Sequence, residues 1–388
     1  MVARIVLLCA VCTCSFVAGA QEFPGRAEGD FSGLPEDVQE WQFEAPPGGD
    51  FFGIMVVFEV EAGEARITLT NAAGEELLDD PWHGENAVLL KKIETLRSDP
   101  LTLRVESKTA AGSWQISIHP LPAEGRYSLL ILGGLGMIFV GLAVIVGWWL
   151  RGEPQFRWFA AGAAIWTIGV AIKVGTAFLL TKNVLQWLEL NLSHSLYVAL
   201  GSIYVGVDSS LCEIGVTLIA VLLFRQMALT GNRAVAVGAG AGGFEAILLG
   251  LGGAVSASLA FSGVEQVQVA VGAATVNTPL IFVVGTVERV LAICAHIGTR
   301  TLVIYGVATR RWSAVLAGFL LFAALDGVAG WVHVSGTVHW INMWWIELML
   351  VPISAVCLYA AWWCLKHWPA PPVLEERGHG SDEPAELV

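Results

Sequence analysis

The chain has 388 residues, of which 55% are hydrophobic and only 14% charged, and its formal net charge is −13. That apolar share exceeds the soluble average, and the negative charge excludes the electrostatic footprint of a nucleic-acid binder, so no nucleic acid is expected as a partner. The 43 glycines and 16 tryptophans suit helices packed in lipid, where glycine lets backbones approach and tryptophan sits at the interface.

Residues 1–20 read as a secretory signal peptide. Arg4 supplies the basic start, residues 5–17 a short apolar run, and Ala18-Gly19-Ala20 a small-residue cleavage site. The run is too short to span a bilayer comfortably. No good lipobox precedes the cysteines of this segment. The remaining cysteines, Cys212, Cys294, Cys357 and Cys364, all lie in apolar stretches, so the exported part is expected to fold without disulfides.

Residues 21–122 alternate with period two, which predicts an extracytoplasmic β-sandwich, jelly-roll-like in class. Strand patterns fall at residues 65–70, 101–106 and 114–118. Turn chemistry falls at Pro46-Pro47-Gly48-Gly49, at residues 71–74 and at Ala110-Ala111-Gly112. The stretch from Gly112 to Ile118 resembles the last strand of bacterial pre-peptidase or jelly-roll domains. This segment holds most of the negative charge, read as a solvated surface, with calcium or a basic ligand as the alternative.

From residue 127 the pattern changes to an all-α bundle of about seven transmembrane helices. Spans are predicted at 127–150, 157–180, 197–224, 234–260, 278–308, 312–334 and 341–365. The transmembrane domain as a whole is predicted over 127–366. Arg151 and Arg157, Arg225 and Arg233, Arg310 and Arg311, and Lys366 with Arg377 fall in alternate loops, whereas the opposite loops carry only Lys182. This positive-inside pattern places the β domain outside and the C-terminus in the cytoplasm of a multi-pass cell-membrane protein. Residues 183–193 read as an interfacial helix with Trp187, Leu188 and Leu192 facing lipid. The tail, 367–388, is Pro-rich then acidic and is expected to be disordered.

Ionisable groups within a bilayer are costly unless paired, so each is a functional candidate. Asp208 and Glu213 fall in the third span, Glu245 in the fourth, Glu288, Arg289, His296 and Arg300 in the fifth, and Asp326 in the sixth with His333 near its outer end. Lys173 falls in the second. Arg289, His296 and Arg300 are seven and four residues apart, which puts them on one helical stripe. Their partners are expected to be Glu213, Glu245 and Asp326 around a polar cavity at mid-membrane depth, with Glu288 turned toward another neighbour. A structural ion-pair network is the competing reading. The run Gly238-Ala239-Gly240-Ala241-Gly242-Gly243 ahead of Glu245 permits close helix contact or a local break. It lacks the Lys-Ser/Thr ending and the preceding strand of a phosphate loop. His194 and His339 read as solvated or interfacial.

Taken together, residues 200–330 resemble the YhfC-like intramembrane proteases of the CAAX-prenyl and bacteriocin-processing glutamic protease superfamily. The stretch 238–250 resembles that family's Gly-x-Gly-His-Gly-Gly-x-Glu-Ala pattern. Glu288-Arg289 with His296 resembles its Glu-Arg…His helix, and residues 322–326 its His-x-x-x-Asp element. Cys212-Glu213-Ile214-Gly215-Val216 stands where the family has Glu-Glu-x-x-Arg. The resemblance implies an intramembrane endopeptidase in which one glutamate activates water, helped by histidines and an oxyanion donor. Several family residues are replaced here: the first glutamate by Cys212, the arginine by Val216, and the two histidines by Ala241 and Phe322. Glu213, Glu245, Glu288, Arg289, His296 and Asp326 remain as the candidate site. Cys212 as a nucleophile with His296 as its base is a minor alternative, since a cysteine in an apolar span is usually a small hydrophobe. No His-Glu-x-x-His spacing points to zinc, and no cofactor is expected.

The sequence therefore predicts a degenerate member of this family, a pseudoprotease or scaffold that binds transmembrane segments in a polar intramembrane cavity. The alternatives are an active peptidase, a seven-helix receptor with an outer β sensor domain, and an ion- or proton-coupled transporter. The loop charges make a first prediction. A green fluorescent protein joined after residue 230 should fluoresce, and an alkaline phosphatase joined after residue 193 should be active. The reverse pattern would invert the orientation.

Overall fold

The structure is a computed structural model that describes residues 26–32, 37–43, 51–83, 87–94, 101–121, 124–275, 278, 280–335 and 342–369. The expected signal peptide, the turn at 46–49, His339, Arg377 and the tail beyond residue 369 lie outside the described residues.

Six strands form one antiparallel sheet: β1 (Arg26–Ser32), β2 (Asp37–Phe43), β3 (Phe51–Thr70), β4 (Glu76–His83), β5 (Ala87–Glu94) and β6 (Leu101–Pro120). The two 20-residue strands, β3 and β6, pair with each other along nearly their whole length. At one end they are flanked by β5 and β1, at the other by β4 and β2. The register shifts between Val60 and Glu64. Side-chain parity flips there, as a bulge requires: Ile54 and Val56 point inward before it, Ala65, Ile67 and Leu69 after it. A single apolar cluster therefore draws on both halves of the sheet, and Trp41 of β2 meets Trp114 of β6 edge-on at 4.6 Å.

The stretch Ala110-Ala111-Gly112, expected as a turn, instead lies within β6. Its residues are small because they form the bend. Gly63 opposite has φ +102°, and a Cβ there would stand 2.6 Å from the Ala110 backbone. The expected turn at 71–74 is present, with Asn71 Oδ1 accepting from the Ala73 and Glu75 amides. On the sheet surface Arg66 donates to both carboxylate oxygens of Asp79 at 2.7 and 2.6 Å, which holds that carboxyl below its ordinary range.

The described residues from 124 onward form helices: α1 (Glu124–Gly152), α2 (Arg157–Thr176), α3 (Lys182–Asn191), α4 (His194–Leu223), α5 (Gly231–Phe261), α6 (Glu265–Thr275), α7 (Ile281–Thr309), α8 (Trp312–Val334) and α9 (Trp344–Lys366). Among the described residues, seven helices are long and apolar enough to cross a membrane, α2 and α3 counting as one through a π turn at Ala177–Thr181. Their bounds follow the hydropathy spans to within several residues, the second running on through α3 to Asn191. The loops joining α1 to α2 and α4 to α5 meet at one end of the bundle. There Trp148 donates to the Asn232 carbonyl, and Arg157 and Arg233 both stand over the Trp158 ring. In α3, Trp187 is 60% exposed as expected for lipid, but Leu188 is buried against Tyr197 and Val334, with Leu192 beside them. That face packs on α4 and α8 instead of lipid.

Helix α5 is the centre of the bundle, with 67% of its apolar stretch buried. Its glycines do not break the helix. Gly238 and Gly242, one turn apart, face the α7 backbone, Gly240 faces Phe159 of α2, and Gly243 faces α1. Three helices thus converge on it at backbone distance. On the sheet side, α6 docks against β5: Glu265 Oε1 accepts from the Lys92 amide at 2.5 Å, and Lys92 Nζ donates to Gln268 Oε1 at 3.1 Å.

A Cβ on Gly238 would stand 2.6 Å from Ile297 Cα, a backbone atom that has no room to retreat. Gly238→Val is therefore expected to destabilise the bundle by about 1–3 kcal/mol, seen as a lower midpoint in detergent thermal unfolding. Gly252→Ala, which meets open space, should leave the midpoint unchanged. Equal effects of the two would refute the packing account.

Candidate functional site

The charged side chains of the spans meet in one continuous chain of contacts across five helices. Lys173 Nζ on α2 lies 2.9 Å from Asp326 Oδ2 on α8 and 3.8 Å from Glu213 Oε1 on α4. Ser209, one turn before Glu213, also donates to Asp326. Arg300 on α7 has no exposed side-chain surface and donates from Nη2 to Glu213 Oε2 at 3.1 Å. Its Nη1 meets Nδ1 of His296, one turn earlier on α7. His296 Nε2 lies 2.7 Å from Glu245 Oε2. Glu245 Oε1 accepts from Arg289 Nη1 at 2.5 Å, and Arg289 Nη2 turns to Glu288.

The helices set this geometry. Glu245 lies three residues beyond Gly242, on the side of α5 that touches α7. A Cβ on Gly242 would stand 3.0 Å from His296 Cβ, so the absence of a side chain there is what brings His296 within reach of Glu245. The 4-residue spacing of His296 and Arg300 stacks the two side chains on one face. The partners assign the imidazole tautomer: Nδ1 faces a guanidinium, which only donates, so Nδ1 accepts and Nε2 carries the hydrogen to Glu245. Phe322 of α8 closes the group, its ring 5.4 Å from His296 and 5.6 Å from the Arg300 guanidinium carbon.

All six candidate residues, Glu213, Glu245, Glu288, Arg289, His296 and Asp326, belong to this chain of contacts. Glu288 caps its sheet-side end and is 41% exposed. Cys212 stands apart. Its sulfur is 3.8 Å from Thr176 Oγ1 and 4.0 Å from Asp208 Oδ1, with His296 not among its partners. Val216 packs among apolar neighbours, and Ala241 is fully buried. The charged groups pack directly on one another. A groove of about 500 Å³ lies beside them, lined by apolar groups such as Ile203, Val207, Ala323, Ala324 and Trp331, and it reaches Gly327 next to Asp326.

Sequence reasoning singled out neither Ser209 nor Glu347. Glu347 is 4% exposed, and its Oε2 has no hydrogen-bond partner among the described residues. Its place in the first turn of α9 gave no signal, because acids are ordinary there.

These features define a polytopic membrane protein with a small N-terminal sheet region and a buried, charge-paired polar network in its helical bundle. A protein-family model described as YhfC intramembrane metalloprotease matches residues 136–350, more than half of the chain, and the chain belongs to that family. Among curated proteins, none matches it.

The family's description implies a metal, and the donor set does not fit one. A divalent cation takes carboxylates or imidazole nitrogens free to face it. Here Glu245 and Glu213 each spend both oxygens on cationic or imidazole partners, Asp326 holds Lys173, and both nitrogens of His296 are engaged. The two positions that carry histidine in the pattern noted above are Ala241 and Phe322. Among the described residues, no group of three or more His, Cys, Asp and Glu side chains is disposed to hold a metal ion.

Removing one member of a buried ion pair leaves the other uncompensated, at about 3–5 kcal/mol. Glu213→Gln and Arg300→Met should each lower stability by that order, and the double variant should cost clearly less than the sum. Unfolding in mixed micelles reads this out. Strict additivity would show that the two side chains do not depend on each other.

Proposed function

We propose that this protein is a degenerate YhfC-family member, a pseudoprotease or scaffold that holds a partner's transmembrane segment within the bilayer. The observation that carries this reading is the engagement of every candidate general base. Glu213 lies between Arg300 and Lys173, and Glu245 between Arg289 and His296. With the oxygens of each carboxylate turned to cationic or imidazole partners, activation of water would first require displacing one of these contacts. The replacements at Cys212, Val216, Ala241 and Phe322 support the same reading.

The apolar groove between α4, α8 and α9 supports a helical segment as the occupant. It is lined mainly by small and aliphatic side chains, with Ser202 among them. A polar residue on the bound helix would find a partner there. The sheet region serves in this reading as a sandwich-like extracytoplasmic domain that recruits the partner's exposed part. The C-terminus is cytoplasmic, as the basic loops at the opposite end of the bundle require.

The test is to reconstitute the purified protein in liposomes with single-span reporter proteins and to follow cleavage and retention together. The wild type should cleave nothing and should retain a reporter through detergent washing. Ala324→Trp, which fills the groove from its exposed rim, should lose that retention. Cleavage by the wild type that Glu213→Gln and Glu245→Gln both abolish would instead establish an active glutamic intramembrane peptidase.

A further inference from the structure

We infer that Glu347, facing Glu288, is a proton-binding site on the sheet side of the bundle. It is a site distinct from the Glu213–Glu245 pairs and independent of whether those pairs cleave, hold or only support. Glu347 is 4% exposed in the first turn of α9, and its Oε2 has no hydrogen-bond partner among the described residues. Capping of its own helix is the ordinary use of such an acid, yet none of the α9 amides donates to that oxygen. The charged groups that act on Glu347 are Glu288 and Arg289, both on α7. From α8, neither Asp326 nor His333 acts on it, and from α5, Glu245 is turned to Arg289 and His296.

Arg289 cannot serve as the counter-ion, because one end of its guanidinium holds Glu245 and the other Glu288. The charge balance points the same way. Along the network Lys173, Arg289 and Arg300 face Asp326, Glu213, Glu245 and Glu288, with His296 in the neutral tautomer described above. One negative charge is already in excess, and it falls at Glu288, whose side chain is 41% exposed. A second anion, buried next to it with no cation of its own, is the arrangement that burial penalises most. A proton on Glu347 removes it.

The position is also held in place. Thr278 Oγ1, in the segment leading into α7, accepts from the Met343 amide at 3.2 Å, and Met343 in turn accepts from the Ile346 and Glu347 amides. The heads of α7 and α9 are thus tied together.

Dicyclohexylcarbodiimide reacts with protonated carboxyl groups in apolar surroundings, so it probes this site in the intact wild-type protein without any variant. After reaction in liposomes, peptide mapping by mass spectrometry should find the adduct on Glu347 at neutral pH, with its yield falling as pH rises. The adduct should be absent in Glu347→Gln. In Glu288→Gln, where the neighbouring negative charge is gone and the Glu347 anion is less disfavoured, the fall should move to lower pH. No adduct on Glu347 at any pH would overturn the inference. So would an adduct that added sodium ions suppress at constant pH, which would make the site a metal-cation site.

Discussion

An arginine with no exposed surface, placed within a lipid-spanning bundle, has to be answered by a carboxylate from another helix. Arg300 and Glu213 meet that demand, and much of the bundle follows from it. The effective penalty for burying each ion is several kcal/mol, recovered only with good geometry and further hydrogen bonds. Glu213 therefore sits where Lys173 also reaches it, Lys173 where Asp326 does, and Asp326 where Ser209 donates. Each pair leaves a remainder that the next helix absorbs. The contacts run through α2, α8, α4, α7 and α5. Such a network specifies which helices are neighbours more than it stabilises them, since apolar packing of equal volume is often as favourable.

The backbone has to allow this approach. Ion pairs of 2.5–3.1 Å between helices require interhelical contact that ordinary side chains would prevent. The glycines of α5 supply it toward α1, α2 and α7 at once. Gly206, packed on the Ala323 carbonyl, and Gly330, packed on Val205, do the same between α4 and α8. Charge and smallness are two parts of one solution: the small residues bring the helices together, and the charges choose which ones. The close approach also buries Glu213, which is 4% exposed.

Much of this was legible in the sequence. The spans are long apolar runs whose loops alternate in charge, and such a signal survives any packing. Arg289, His296 and Arg300 could be placed on one stripe because helical periodicity is a local property. What the sequence did not carry was the pairing of one helix with another. It grouped Lys173 with no partner, although that residue bridges two acids. In the sheet, Ala110-Ala111-Gly112 read as a turn since small residues serve turns and bends alike, and only the partner strand distinguishes the two. Glu347 escaped notice for a related reason: its environment is made by α7, more than fifty residues away in the chain.

The Lys173–Asp326 contact joins residues 153 positions apart, which bears on how the chain is made. Spans enter a membrane in order of synthesis, and a lysine at mid-helix lowers a segment's tendency to insert by about 2.5–3.5 kcal/mol. The second span must therefore be accepted on its apolar residues alone, then wait while Glu213 and later Asp326 are translated. Until the sixth span arrives, the nascent bundle carries a cation whose best partner does not yet exist. A ribosome stalled or a message cut short before that point leaves a product marked by an imbalanced charge in lipid, the kind of defect that membrane quality control recognises. The same contact that closes the finished bundle thus makes its completeness readable during assembly.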